Sequence, residues 1–290
     1  MFKLCVGLEI QLQLLCKSKL FCSCPASFSA PPNLNTCPVC MAYPGAMPFF
    51  NEQALVLAVR MGSALHCDIH SESSFDRKCY YCSDLPKAYQ ITQHRHPLMS
   101  GGYLQLETSR IGIKEAHMEE DSARIIRNPA TDEMSLDFNR AGMALLKIVT
   151  EADITEAAQA SEFLVKVHTL AKELGVSSCK MEEGALRCDV MLSIEEEKGI
   201  SGERVEIQKL NSFCMVEKAI NYEKIRQMEL VKQGEKVVKE TRIYDEKLGK
   251  TLALRKKDGL GDFRYMPEPD LGIVRISRDE IRDYTGNDAP

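Results

Sequence analysis

Residues 186–194 read Leu-Arg-Cys-Asp-Val-Met-Leu-Ser-Ile, and this stretch decides how the chain folds. Leu186, Cys188, Val190, Leu192 and Ile194 fall on one face of an extended segment, and Arg187, Asp189, Met191 and Ser193 fall on the other. A period of two residues is that of a half-buried strand. The turn-rich residues 195–202 follow, and then Arg204, Glu206 and Gln208 alternate with Val205 and Ile207. A hairpin between the two segments would place Asp189 and Glu206 on one polar face.

The same alternation recurs at residues 4–14, with Val6, Leu8, Ile10 and Leu12 opposed to Gly7, Glu9, Gln11 and Gln13. Residues 103–120 predict a further hairpin whose second strand ends in acids and whose phase is ambiguous after Ile113. Helices are expected over 52–66, from a cap at Asp153 or Thr155 to Leu174, and from Asn211 or Ser212 to about Gly234. Gly175 is placed to end the second of these, and Leu248-Gly249-Lys250 reads as a hairpin tip.

With 290 residues, 44% of them hydrophobic, the chain can build one large domain with a small appendage. A net charge of -5 argues against a general electrostatic grip on nucleic acid. Glu9, Gln11 and Gln13 interrupt the apolar N-terminal run, which excludes a secretion signal or a membrane span there. Twelve cysteines in a chain with this much core, several of them (Cys67, Cys188, Cys214) in apolar or strand-like stretches, fit reduced thiols and a cytoplasmic location.

Three constellations could carry chemistry. Cys22, Cys24, Cys37 and Cys40 form a CxC and a CxxC pair in a Pro-rich stretch, a spacing suited to a closed, structural tetrahedral zinc site. Cys79 and Cys82 have no second pair and read as plain thiols. Glu9, Glu119, Glu120, Asp121, Asp189 and Glu206 lie at strand ends or on polar faces, where rigid elements can offer carboxylates to a divalent ion such as magnesium. Arg77, Lys78 and Lys87 are interleaved with Tyr80, Tyr81 and Tyr89, a mixture that can hold a nucleotide or form an ordinary surface loop.

Ten blocks in order resemble the catalytic cradle domain of the GatB family, the B-type component of the aspartyl/glutamyl-tRNA amidotransferase. They are GLEIQLQL (7–14), KSKLFCSC (17–24), CPVCMAYPGAMP (37–48), FDRKCYYCSDLPKAYQITQ (75–93), HMEEDSAR (117–124), DFNRAG (137–142), MEEGALRCDV (181–190), VEIQKLNSF (205–213), ETRIYD (240–245) and DFRYMPEPDL (262–271). The resemblance implies a glutamine synthetase-like α+β fold: a twisted, largely antiparallel sheet with helices on one side. It implies a cradle over residues 1–276 with the zinc loop inserted at 21–41, and a C-terminal remnant at 277–290 without the family's helical and tail domains. It further implies an ATP-dependent carbon–nitrogen ligase that phosphorylates Glu or Asp on mischarged tRNA and amidates it with ammonia from glutamine.

The expected partners are the amidase component (GatA) and the small component (GatC) of a heterotrimeric complex, with the contact to tRNA weakened if the further domains are missing. The resemblance assigns catalytic roles to Glu9, Glu120, Asp189 and Glu206. It assigns magnesium to Glu9, Gln11, Glu119 or Glu120, Asp189 and Glu206, and ATP to Arg77, Lys78 and Lys87. The family has histidine where Gln11 stands, and Ala144 and Lys147 replace a proline and an acid of its PLIEIV block. Two other functions stay open: a paralogue that binds partners or nucleotide without catalysis, and a stand-alone small-substrate amide ligase.

Overall fold

The computed structural model describes residues 2–128, 130–196, 199–200, 202–256 and 263–286. Its principal strands are β1 (Phe2–Gln13), β2 (Asp76–Cys79), β3 (Tyr89–Thr92), β4 (Arg110–Glu120), β5 (Ala144–Thr150), β6 (Leu186–Glu196), β7 (Val205–Leu210), β8 (Glu240–Asp245), β9 (Lys250–Lys256) and β10 (Arg264–Pro267). The helices are α1 (Glu52–Ala64), α2 (Ala157–Glu173), α3 (Phe213–Lys232) and α4 (Arg278–Thr285).

The large sheet runs β9-β8-β7-β6-β1-β5-β4 and continues through the short strands Met99–Ser100 and Asp68–Ile69. Its neighbours along this path are antiparallel except for β7 and β8, which are parallel. The fold is therefore α+β with a large, mostly antiparallel sheet, as the resemblance implies. No helix among the described residues is long and apolar enough to cross a membrane.

β1 sits at the centre because both of its edges are paired and one of its faces is wholly apolar. Leu4, Val6, Leu8, Ile10 and Leu12 are buried in one continuous core with Phe163, Leu164 and Val167 of α2 and Val216, Ala219 and Ile220 of α3. Each fully buried Leu or Ile contributes about 1.5–3 kcal/mol, so this face fixes which way the strand points. Every polar side chain of β1 is thereby sent to the opposite face. In register, Glu9 stands between Val149 and Asp189, and Gln11 between Lys147 and Arg187.

The hairpin predicted from residues 103–120 pairs Tyr103 with Gly112 and Gln105 with Arg110. The ambiguity after Ile113 has a physical cause: the pairing of β4 with β5 steps from Glu115–Val149 to Ile113–Thr150 and skips Lys114. An extra residue of this kind reverses the parity of a strand. Beyond it Ala116 and Met118 enter the core, and Glu115, His117 and Glu119 turn to the other face. β6 and β7 pair through Val190–Ile207 and Met191–Glu206, with an irregularity at Asp189. The turn predicted between them lies partly outside the described residues.

Three local expectations are corrected. α2 is capped by Glu156 rather than by Asp153 or Thr155: its backbone N–H donates to Gln159 Oε1 at 3.1 Å, while Asp153 accepts from Gly112 N at 3.0 Å. α1 ends at Ala64 instead of 66, where His66 adopts a left-handed φ of 54°. Cys214 is exposed on the first turn of α3, behind the capping Ser212, rather than packed in an apolar stretch. The tip at Leu248-Gly249-Lys250 does join the β8–β9 hairpin, with Asp245 paired to Lys250 and Gly249 at φ 61°.

Candidate functional site

The polar face of β1, β4, β5, β6 and β7 floors a cavity of about 380 Å³, lined by Glu9, Gln11, Glu119, Asp121, Lys147, Arg187, Asp189, Glu206 and Gln208. Its far side is made by Lys78 and Tyr80, and by Phe263 and Tyr265 from around β10. β10 pairs with β2, Tyr265 opposite Lys78, which brings two distant parts of the sequence over the sheet.

The structure brings together Glu9, Gln11, Glu119, Asp189 and Glu206 of the expected site. It also separates some of the others. Glu119 and Glu120 are consecutive on a strand, so only one can face the cavity, and Glu119 does. Glu120 turns to β3, where it pairs with Lys87 Nζ and accepts from Ile91 N at 2.9 Å. On β2 the same alternation separates Lys78 from Arg77. Lys78 lies over the Phe263 ring at 4.3 Å, whereas Arg77 is held by Glu268 at 2.8 Å and Asp270 at 3.0 Å.

Within the cavity Glu9, Glu119, Asp121 and Glu206 already face cations or hydrogen-bond donors. Lys147 Nζ lies 2.6 Å from Glu9 Oε2. Gln11 Nε2 donates to Glu119 Oε1 at 2.6 Å, and His117 Nε2 lies 3.8 Å from Glu119 Oε2. Asp121 is gripped by Arg140 at 2.7 Å and Arg187 at 2.9 Å. Glu206 accepts from Gln208 Nε2 at 2.7 Å and Thr241 Oγ1 at 3.2 Å.

Ionisation follows from this arrangement. Burial acts to raise the Glu119 carboxyl, but the His117 imidazole and the Lys147 and Lys78 ammoniums outweigh it and hold it at about 2. Burial, then the charges of Glu206 and Glu9, push Asp189 up to about 7 against the pull of Lys147 and Arg187. Burial would lower Lys147, yet Glu119 and Glu9 keep its ammonium well above the usual lysine range. For Lys78 burial prevails and draws it below that range.

These donors do not fit the magnesium centre that the resemblance implies. Magnesium needs oxygen lone pairs directed at one point. Here a charged ammonium stands among the acids, and the Gln11 side chain offers an N–H toward Glu119.

The thiol cluster passes the corresponding test. The Sγ atoms of Cys22, Cys24, Cys37 and Cys40 all lie within 4.8 Å of one another, the one such group of three or more His, Cys, Asp or Glu ligands among the described residues. The 3.9 Å between Cys37 and Cys40 Sγ matches the edge of about 3.8 Å set by zinc–sulfur bonds of about 2.3 Å. The cluster can hold a metal ion, with every position taken by protein.

Its loop is anchored from below. Lys19, fully buried, places Nζ 3.5 Å from Cys40 Sγ and 3.1 Å from the Phe138 carbonyl. Gly142 accepts from Leu20 N, and its φ of 84° is a left-handed conformation that residues other than glycine rarely adopt.

A family model described as the GatB/GatE catalytic domain matches residues 4–282. The chain belongs to that family. The B subunit of an aspartyl/glutamyl-tRNA(Asn/Gln) amidotransferase of Persephonella marina is 44% identical over 97% of this chain and 60% of its own length. The protein of the same name from Thermosipho melanesiensis is 44% identical over 97% of the chain and 60% of its own length. The B subunit of a chloroplastic/mitochondrial glutamyl-tRNA(Gln) amidotransferase of Sorghum bicolor is 42% identical over 98% and 54%. The chain thus spans between half and two thirds of the length of these relatives.

In the sequence Lys147 stands out only as a departure from the family's blocks, and the strand register alone shows that it occupies the middle of the cavity. Arg187 shares the polar face of β6 with Asp189, and alternation by itself signals it. Tyr265 and Phe263 carry no local signal, because their place depends on the pairing of β10 with β2.

Proposed function

We propose that this chain acts as the GatB component of a glutamine-dependent tRNA amidotransferase, an ATP-dependent carbon–nitrogen ligase that converts Glu or Asp on mischarged tRNA to Gln or Asn. The observation that supports this most is that the cavity is built from the blocks shared with the GatB/GatE catalytic domain. The chemistry runs in two steps. The side-chain carboxylate takes the γ-phosphoryl group of ATP and ADP leaves; ammonia then adds to the acyl carbon, phosphate departs, and the nitrogen loses a proton. A carboxylate resists ammonia until phosphate makes one of its oxygens a leaving group.

Of the three basic residues in the 75–93 block, Lys78 faces the cavity and is placed to meet a phosphoryl oxygen. Arg77 and Lys87 brace the surrounding wall through Glu268, Asp270 and Glu120. In this reading residues 1–276 are the cradle, the 21–41 loop holds zinc in a structural role, and the protein works in the cytoplasm with a GatA-type amidase and a small GatC-type protein.

The test is reconstitution with both partner proteins, scoring Gln-tRNA from Glu-tRNA and Asn-tRNA from Asp-tRNA, with ammonium supplied directly as a control. Failure to form either product from an intact complex would overturn the enzyme reading. The Lys147–Glu9 pair favours a second reading, a family member that keeps the assembly but not phosphoryl transfer. Recovery of the complex without ATP hydrolysis would select it.

A further inference from the structure

We propose that the Lys147 ammonium is a tethered cation that takes the place of a divalent metal ion in the carboxylate cavity. The argument begins with register. Lys147 lies at the middle of β5, directly opposite Gln11 of β1 and His117 of β4. Diagonal neighbours on adjacent strands lie within reach of a long side chain. Lys147 therefore has Glu9 on one side, where Nζ closes to 2.6 Å, and Glu119 on the other.

Its side chain is mostly buried, and a protonated amine has no lone pair to give a metal. Of the other expected ligands, Gln11 uses its amide N–H on Glu119 and Glu206 accepts from Gln208 and Thr241, while Arg187 and Arg140 neutralise the adjoining Asp121. Glu9, Glu119, Asp121 and Glu206 are thus served by donors of the protein itself. Their oxygens are spread among separate partners, and among the described residues no three of them draw together as the thiols do.

A cation attached to the chain differs from a bound ion in three ways. It cannot be removed by a chelator, it carries one charge instead of two, and it meets a phosphate oxygen through N–H donors instead of coordination. The inference concerns the cation of the cavity and stands apart from the amidotransferase reading, because its readout is metal binding and not turnover.

The experiment is titration of the full chain with manganese, followed by electron paramagnetic resonance after the thiols have been filled with zinc. The wild-type protein should show no saturable manganese site that depends on Asp189. Lys147→Glu and Lys147→Met should each gain one, binding manganese at least roughly tenfold more tightly than wild type, and Asp189→Asn should abolish the gain. A wild-type site of one manganese per chain that is lost in Asp189→Asn would overturn the proposal. So would the absence of any gain in folded Lys147→Glu and folded Lys147→Met, with folding checked by circular dichroism. Should neither variant fold, the wild-type titration with its Asp189→Asn control decides alone.

Discussion

Glu119 and Glu120 are neighbours in sequence and belong to different parts of the protein. Glu119 faces the cavity beside Gln11, and Glu120 is locked to Lys87 and to the backbone of Ile91 beneath β3. Both Lys87 and Glu120 are largely buried. Removing one member of such a pair strands the other charge and costs about 3 kcal/mol or more. Glu120→Gln should therefore lower stability by about that amount in denaturant unfolding. Adding Lys87→Met should recover most of the loss. Equal stability of Glu120→Gln and wild type would show that the pair contributes nothing.

Asp76 supplies the pH dependence that is easiest to isolate. It is fully buried, and its carboxylate accepts from the backbone of His94 and Arg95 and from the Arg95 guanidinium. Burial pushes the carboxyl up, but these donors together hold it below the ordinary 3.8. A depressed carboxyl stabilises the fold fully above the unfolded-state value and loses that contribution as pH falls through the folded-state value. The stability gap between wild type and Asp76→Asn should thus be widest near neutral pH and close as acidification carries the pH below 3.8. Unfolding curves at a series of pH values check this. A gap that stays constant would sink the assignment.

The arrangement of the thiol loop makes Lys19 the residue to change. With four thiolates, a zinc centre carries net negative charge, and the buried Lys19 ammonium beside Cys40 offsets part of it. Lys19→Met keeps the apolar stem and removes the charge. Partners of metal ligands are worth roughly 10–100-fold in affinity, so this variant should release zinc to a competing chelator at least roughly tenfold more readily. Purified wild-type chain should hold about one zinc. Metal content near zero, or unchanged competition in Lys19→Met, would remove the basis for the role given to Lys19.

Most of the sheet is legible in the sequence because its inner face is apolar and its outer face is not. β1 and β6 follow from alternation, and so does the placing of Asp189 and Glu206 on one polar face. Three things are not legible, each for a physical reason. The bulge at Lys114 inverts the parity of β4, so no period fixes whether Glu119 or Glu120 faces the cavity. The meeting of Lys147 with Glu9 depends on which strands are neighbours, and that is set by the whole sheet. The cap of α2 falls to Glu156 because Gln159 turns back on its N–H, while Asp153, the better capping residue type, is taken by Gly112.

Glu223 extends this lesson to a polar residue inside the core. It lies on the buried side of α3 with no exposure, where a helical period predicts an apolar side chain. Its carboxylate accepts from Arg226 Nε at 2.9 Å, Gln227 Nε2 at 3.0 Å and Thr251 Oγ1 at 2.8 Å, with Arg242 Nε 3.5 Å away. Arg242 in turn donates to Glu240 at 2.6 Å and to the Thr251 carbonyl at 2.8 Å. The network fastens the helix to the β8–β9 hairpin at the edge of the sheet. Because two guanidinium groups share this carboxylate with that of Glu240, losing it leaves them one carboxylate between them, and Glu223→Leu should be as harmful as Glu223→Ala, each costing about 3 kcal/mol. A packing role would instead let leucine rescue what alanine loses. Denaturant midpoints for the two variants, compared at equal slope, distinguish these outcomes, and recovery in Glu223→Leu would reject the polar anchor.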